Sequence, residues 1–432
     1  MLPKVILPRI NFANSYSKIY EGEILKDVTF IVTHDCNLQC TYCYEHNKSA
    51  KKMSLSIAKK AVDFLFDSDL NDGVWINPKQ SDGIILNFVG GEPLLEINLI
   101  DSIMDYFLEK AISLNHRWSL KYMIGMSSNG MLYNTEPVLR FMRKWEGRIS
   151  INITVDGNKK LHDACRVDFK GNGSYDVASK AFESAIKHSN TPSTKFTIAP
   201  GNVQYVFEAT KEMIETFDIF CVMSNCVYEE GWTLEHATTL YYELKKLSDW
   251  VISEYPDTCF MFSIFDSFIG KPLSNDSNWC GGTGKMLAID VDGSLLPCLR
   301  YSSLSLGLNQ PPLVIGDIIN GIASTQEQKS MIEMLESITL SSQSTQECID
   351  CPIASGCAWC SAYNYEMTGT PNKRVIYACV MHKARVLATS YYWNILFRHH
   401  KDESRFELNI PKEWALEIIS EEEYSMLLDL SI

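Results

Sequence analysis

Apolar, β-branched runs alternate with stretches whose apolar positions recur every three or four residues, and this alternation organises the first half of the chain. The runs at Val28 to Thr33, Gly83 to Val89, Leu120 to Ser127, Ile149 to Val155, Lys195 to Ile198 and Ile219 to Met223 read as strands. Between them the spacing predicts helices over 54–68, 97–113, 136–145, 174–188 and 203–216. In the first of these, Leu55, Ala58, Ala61, Val62 and Leu65 mark one face of a surface helix. Six β/α units in series imply a parallel sheet. A further helix is predicted over 234–255, as a bridge, and beyond it the pattern breaks into short strands and turns between Cys280 and Cys379. Thr339 to Thr345 reads as a polar linker, 382–398 as a helix, and Glu403 to Ile432 as an acidic helix or helix pair packed on the barrel. Residues 1–24 suggest a capping strand or loop. The boundaries expected are therefore 1–24, 25–230, 231–279, 280–380 and 381–432.

Composition narrows the function classes. The chain has 432 residues, 46% of them hydrophobic, enough for two or three ordinary cores. No apolar run reaches the roughly 18 residues of a membrane span, and Met1 to Tyr20 lacks the regions of a signal peptide, so a cytoplasmic, membrane-free protein is expected. In that reducing compartment 14 cysteines point to metal ligands rather than disulfides. The net charge of -14 argues against nucleic acid as partner, because phosphate binding needs a basic face. A polypeptide or small molecule fits better.

The chemistry concentrates first at Cys36, Cys40 and Cys43, a C-x3-C-x2-C run directly after the first strand. Three thiolates leave one iron of a four-iron cluster without a protein ligand. The alternative, a zinc site, usually shows four ligands from paired Cys or Cys/His, and no fourth cysteine follows until Cys165. After the second strand come Gly90, Gly91, Glu92 and Pro93, whose glycines would let the backbone approach whatever sits on the cluster. Ser128 and Asp156 stand at the ends of the third and fourth strands, Thr154 just before Asp156, and Arg166 follows in the next loop. His162 reads as a surface contact of that loop.

The three cysteines, with Tyr42 before the last and the Gly-Gly-Glu-Pro segment one unit on, resemble the radical S-adenosylmethionine (SAM) enzymes. The resemblance implies a partial (β/α)6 TIM barrel with its site at the strand C-termini. It implies SAM on the open iron, Tyr42 lining the adenine pocket, Gly90, Gly91 and Glu92 on the SAM amino group, and Thr154 and Arg166 near its carboxylate. Ser128 and Asp156 would serve the ribose or head group.

The second signal is C-terminal: Cys280, Cys298, then Cys348-x2-Cys351-x5-Cys357-x2-Cys360, and Cys379. This array resembles the SPASM domain, an auxiliary iron–sulfur module, and departs from it where two residues rather than three separate Cys357 and Cys360. A pair of zinc ribbons is the structural alternative. The family's crossed ligation implies one cluster on Cys348, Cys351, Cys357 and Cys379 and a second on Cys280, Cys298 and Cys360, open unless Cys259 or Cys226 closes it. With the SAM cluster that makes three iron–sulfur clusters. Cys165, Cys221, Cys226 and Cys259 otherwise read as buried small apolar residues.

SPASM enzymes include anaerobic sulfatase maturases and enzymes that crosslink ribosomally made peptides. Where the first group carries an Asp after the second cysteine of the array, this chain has Leu299-Arg300-Tyr301. The reading is therefore a peptide maturase that joins side chains of a precursor peptide by a thioether, carbon–carbon or ether bond, the auxiliary clusters accepting the second electron. The sulfatase-maturating type and a non-catalytic iron–sulfur electron carrier are the alternatives. Glu229, Glu230, Asp266, Asp290 and Asp292 are candidate bases, unranked. A flavodoxin- or ferredoxin-type electron donor is expected as partner. About 24 residues precede the first strand, too few for a peptide-recognition domain; leader recognition then falls to a separate protein or to the barrel and tail.

Overall fold

The computed structural model describes residues 25–71, 73–187, 193–276, 278, 280–307 and 310–432; the cap expected over 1–24 lies outside the described residues. Strands β1 (Leu25–Thr33), β2 (Gly83–Gly90), β3 (Tyr122–Ser128), β4 (Ile149–Ile153), β5 (Thr194–Ile198) and β6 (Cys221–Cys226) alternate with α1 (Leu55–Phe66), α2 (Ile97–Ser113), α3 (Glu136–Lys144), α4 (Lys159–Cys165), α5 (Tyr175–Ile186) and α6 (Val206–Phe217). The expected α/β order is present. β1 is apolar on both faces because both are covered: Val28, Phe30, Ile31 and Val32 are all buried. Phe30 lies opposite Phe88 in the parallel β1–β2 register, ring centroids 5.5 Å apart. In α1, Ser54 accepts from Ile57 N and starts the helix, which then buries Ala58, Ala61, Val62 and Leu65.

The sheet differs from the simple expectation in two ways. β1 to β4 pair in parallel order, but β5 and β6 form a separate three-stranded sheet with β7 (Met261–Phe262). On the other side of β1 the cysteine-rich half adds β8 (Met286–Ile289), β9 (Ser294–Leu296), β10 (Gly316–Asp317) and β11 (Gly321–Ile322), giving the order β11-β10-β9-β8-β1-β2-β3-β4. β8 runs parallel to β1, Val28 opposite Leu287. The two halves thus share one hydrogen-bonded sheet. A buried pair joins them as well: His34 Nε2, just past β1, lies 2.8 Å from Asp290 Oδ1 in the β8–β9 turn.

The remaining helices are α7 (Leu234–Glu254), α8 (Gln326–Ser337), α9 (Leu340–Gln343), α10 (Gln346–Ile349), α11 (Ser361–Thr368), α12 (Cys379–His399), α13 (Lys412–Leu416) and α14 (Glu421–Ser431). α7 is more than a bridge, since Tyr391 of α12 donates to Asp249 at 2.6 Å and Tyr241 to Glu423 of α14 at 2.6 Å. The acidic tail packs on α7 and α12. The polar linker expected at Thr339–Thr345 is instead ordered: Thr339 caps α9, and buried Gln343 accepts from Asn364 at 3.1 Å. Ser and Thr there cap the helix. Among the described residues no helix is long and apolar enough to cross a membrane.

Candidate functional site: a cysteine loop at the strand rim

The C-terminal ends of β1, β2, β3 and β4 lie on one rim, and the loop after β1 carries Cys36, Cys40 and Cys43 there. Backbone bonds fasten this loop across the rim: Gln39 N donates to Val167 O (2.7 Å) and Thr41 N to Cys165 O (2.9 Å). Asn129, past β3, donates to Asn37 Oδ1 at 2.7 Å and to Cys36 Sγ at 3.8 Å. Burial pushes the Cys36 thiol up to about 12 and raises Cys40 and Cys43 too, while Lys48 pulls all three down. Such thiols bind metal with loss of protons.

The glycines at the end of β2 make a close contact within the protein. A Cβ on Gly90 would lie 2.2 Å from Thr33 O, and one on Gly91 2.3 Å from Asp35 O and 2.8 Å from Cys36 Cβ. Their bareness lets β2 nest against the cysteine loop itself. Glu92 is 1% exposed and spends both oxygens inside the protein: Ser128 Oγ (2.8 Å) and Leu94 N (3.0 Å) donate to Oε1, Asn129 N (2.9 Å) to Oε2. It brackets the ends of β2 and β3.

Asp156, fully buried, is the hub of the next group. Arg166 Nε donates to Asp156 Oδ2 at 2.8 Å, the Tyr42 hydroxyl donates to the same oxygen, and Arg166 Nη1 reaches Cys40 Sγ at 3.8 Å. Asp156 Oδ1 is buried with no hydrogen-bond partner among the described residues. Thr154 N donates to Ser128 O at 3.0 Å, tying β4 to β3. Tyr42 also lines a cavity of about 440 Å³ with Thr41, Leu161, Asn202 and Tyr205.

His162 is not a surface contact. It is 0% exposed; its Nδ1 accepts from Asp156 N at 3.2 Å, so Nε2–H donates to Ser174 Oγ at 2.9 Å. Burial lowers its pKa from 6.5 to about 4, with Asp156 opposing. Since the folded value lies below the unfolded one, the unfolded chain takes up the proton first. The stability that neutral His162 confers is present above about pH 6.5 and is lost as pH falls toward about 4. His162→Gln should flatten the acid limb of a urea-midpoint profile across that window; an unchanged slope would refute this.

The C-terminal cysteines fall into two groups. Burial raises the Cys298 thiol, and the charges that raise it further are Cys360 and Cys280. Burial pushes Cys357 up to about 11; Arg374 opposes this, while Cys379, Cys351 and Cys348 add to it. The structure therefore gathers Cys280, Cys298 and Cys360 in one place and Cys348, Cys351, Cys357 and Cys379 in another. Cys226 and Cys259 join neither: the charged neighbour of Cys226 is Arg385, and Cys259 is exposed rather than buried. Among the described residues no three His, Cys, Asp or Glu side chains converge on a single-ion site.

Between the rim and the three-cysteine group lie residues that, apart from the candidate base Glu229, carried no sequence signal. Arg300 pairs with Glu229 at 2.9 Å and faces the rings of Tyr44 (4.9 Å) and Tyr363 (5.6 Å). Tyr228 is flanked by Cys360, Arg300 and Cys280. Of the candidate bases, Glu229 alone brings its carboxylate to Arg300 here, while Glu230 meets Tyr363 through its backbone. Asp290 is committed to His34, Asp266 and Asp292 accept from backbone N–H groups in their own turns (Phe268 and Ser294, both at 3.0 Å), and Glu230 is exposed.

Residues 21–157 match the family described as 4Fe-4S single cluster domain. A cysteine-type anaerobic sulfatase-maturating enzyme of Clostridium perfringens is 24% identical over 280 residues, 62% of this chain and 72% of that one. The subtilosin biosynthesis protein AlbA of Bacillus subtilis is 23% identical, over 65% of this chain and 56% of AlbA. The structure titled native anSMEcpe with bound AdoMet and Cp18Cys peptide superposes with a TM-score of 0.62 at 18% identity, covering 87% of this chain and 99% of that one. In sequence and fold the chain is similar to radical SAM enzymes with a SPASM-type iron–sulfur domain. Streptococcus suis SuiB bound to its precursor peptide SuiA shares this radical SAM fold at TM-score 0.51 and 13% identity, over 81% of this chain and 75% of that one. An uncharacterized Methanocaldococcus jannaschii protein is 32% identical over 133 residues, and the match spans only 39% of its length.

The residues present fit the cofactors of such a radical SAM enzyme. The rim offers three thiols of one loop, an orphaned buried carboxylate oxygen at Asp156 and an open cavity beside Tyr42; the SPASM half offers two separate thiol groups.

Proposed function

We propose that the chain is a peptide maturase that removes a hydrogen atom from a ribosomally made precursor peptide and joins two of its side chains by a thioether, carbon–carbon or ether bond. Cys36, Cys40 and Cys43 would hold the SAM-binding cluster, and the two C-terminal groups two auxiliary clusters. When bound, these groups supply a 5′-deoxyadenosyl radical that takes one hydrogen atom and an acceptor for one electron. The chain's own residues do the rest. Asp156 fixes Arg166 and Tyr42 at the mouth of the SAM site, leaving Asp156 Oδ1 for a donor of SAM. Thr154 and Ser128 border the same site, and the backbone of Gly90 and Gly91 is kept against the cysteine loop. Glu229 accepts the proton that the closing side chain releases, and Arg300 holds that carboxylate in place. Overall the peptide loses two hydrogens: one as an atom, the other as a proton and an electron.

The observation that carries this reading is the Glu229–Arg300 pair between Tyr44 of the SAM loop and the Cys280, Cys298 and Cys360 group. It puts a carboxylate and a cation between the two cofactor places, while the position after Cys298 holds no carboxylate. The likeness to sulfatase maturases keeps the formylglycine type as the second reading. A flavodoxin- or ferredoxin-type donor would supply electrons, and a separate protein or the barrel and tail would recognise a leader.

The test incubates reconstituted protein, SAM and reductant with two peptides in separate tubes: the product of a short open reading frame beside the gene, and the Cys-containing peptide of the clostridial complex. Crosslinking predicts the first peptide lighter by two hydrogens and silent to a hydrazide probe, with Glu229→Gln still cleaving SAM but forming little product. A hydrazide-reactive aldehyde on the second peptide would replace this function with sulfatase-type maturation.

A further inference from the structure

The cations at the cysteine groups differ in how they are balanced. Arg166 has Asp156, Arg300 has Glu229 at 2.9 Å, and Lys383, near Cys379, has Glu417 at 2.8 Å. Arg374 has no carboxylate partner among the described residues. Its Nη2 donates to Cys357 Sγ at 2.9 Å, with Cys357 O at 3.1 Å and Ala358 O at 3.5 Å. Arg385, also near Cys357, spends its guanidinium on the carbonyls of Ser263, Ile264 and Gly356.

The segment that presents Arg374 is fastened from beneath. Arg374 N donates to Gln343 O (2.9 Å), Val375 N to Asn364 Oδ1 (2.9 Å), and Asn364 Nδ2 to both Gln343 Oε1 (3.1 Å) and Pro371 O (3.2 Å). Asn364 is 1% exposed and Gln343 5%. A long, flexible side chain is thereby held in one place against one sulfur, at the amino end of α12, whose first residue is Cys379.

We propose that Arg374 raises the reduction potential of the cluster held by Cys348, Cys351, Cys357 and Cys379, making that cluster a better acceptor of the substrate's electron. The inference rests on the ligand reading given above. Reduction adds one electron and no proton, so the thiolate sulfurs become more negative. A charge-assisted donor on one of them binds the reduced state more strongly, and hydrogen bonds to the sulfurs are among the levers that set such potentials. With no carboxylate partner among the described residues, Arg374 directs its charge to that sulfur.

The test is a redox titration of the full, reconstituted chain followed by electron paramagnetic resonance, in wild type, Arg374→Gln and Arg374→Lys. The signal of interest is the one absent from Cys348→Ala. In Arg374→Gln its reduced-to-oxidised ratio at fixed potential should fall about tenfold, which is about 59 mV for one electron, and Arg374→Lys should stay near wild type. An unmoved midpoint in Arg374→Gln, or a Lys variant displaced as far as the Gln variant, overturns the proposal. If Arg374→Gln sheds iron, the Lys variant decides alone: a midpoint near wild type supports the role of charge, and a tenfold fall removes it. Cys348→Ala or Cys357→Ala retaining all iron would instead end the ligand reading.

Discussion

Arg166→Met is expected to abolish SAM binding and to destabilise the chain by about 3–5 kcal/mol, the cost of leaving one partner of a buried ion pair without the other. Asp156 is 0% exposed and Arg166 9%, so water cannot take the place of the lost guanidinium. The carboxylate would keep only Tyr42, and Cys40 Sγ would lose Arg166 Nη1 as a donor. Arg166→Lys should recover part of the stability and little of the SAM binding, because one ammonium cannot serve both Asp156 Oδ2 and Cys40 Sγ along the fork that Nε and Nη1 provide. Urea unfolding of the two variants and equilibrium dialysis of SAM give both numbers. A loss within ~1 kcal/mol, the range of an exposed pair, would show that Asp156 does not depend on Arg166.

How far the sequence led differs between the elements. The strands were legible because β1 and β2 are buried on both faces, and an apolar run such as Val28 to Thr33 has few other folds open to it. Which strand pairs with which was not. Nothing in Ile149–Ile153 or Thr194–Ile198 distinguishes strands that hydrogen-bond from strands that only pack. Nor does the four-residue run Met286–Ile289 announce that it will extend β1 across more than half of the chain. Pairing of that range is settled by tertiary closure rather than by local preference.

The site divides in the same manner. The cysteine motifs were legible because their spacing is local, and the C-terminal cysteines stand as neighbours in two sets, Cys280, Cys298 and Cys360 in one and Cys348, Cys351, Cys357 and Cys379 in the other. The meeting of Glu229, Arg300, Tyr228 and Tyr363 was not, as single residues from the loop after β6, the loop after Cys298 and α11 come together only in the folded chain. Glu229 stood among five candidates without rank until Arg300 was placed against it. His162 misled because the seven-residue helix that carries it, α4, is too short to show a period that would mark it as buried. The glycines at 90 and 91 were marked for a missing side chain, and within the protein that bareness serves the cysteine loop, a neighbour the sequence did not name.

Iron, acid-labile sulfide and 5′-deoxyadenosine are the quantities on which the account stands, measured on anaerobically reconstituted protein with and without Cys36, Cys40 and Cys43 changed together to Ala. These three thiols come from one loop held by Asn129, Val167 and Cys165, and the C-terminal groups lie on other elements. Their loss should therefore empty one place and spare two. Wild type should carry about twelve irons, and the triple variant about four fewer, with no cleavage of SAM at all. Zinc in place of iron, or SAM cleavage surviving the triple change, would contradict a radical enzyme built on Cys36, Cys40 and Cys43.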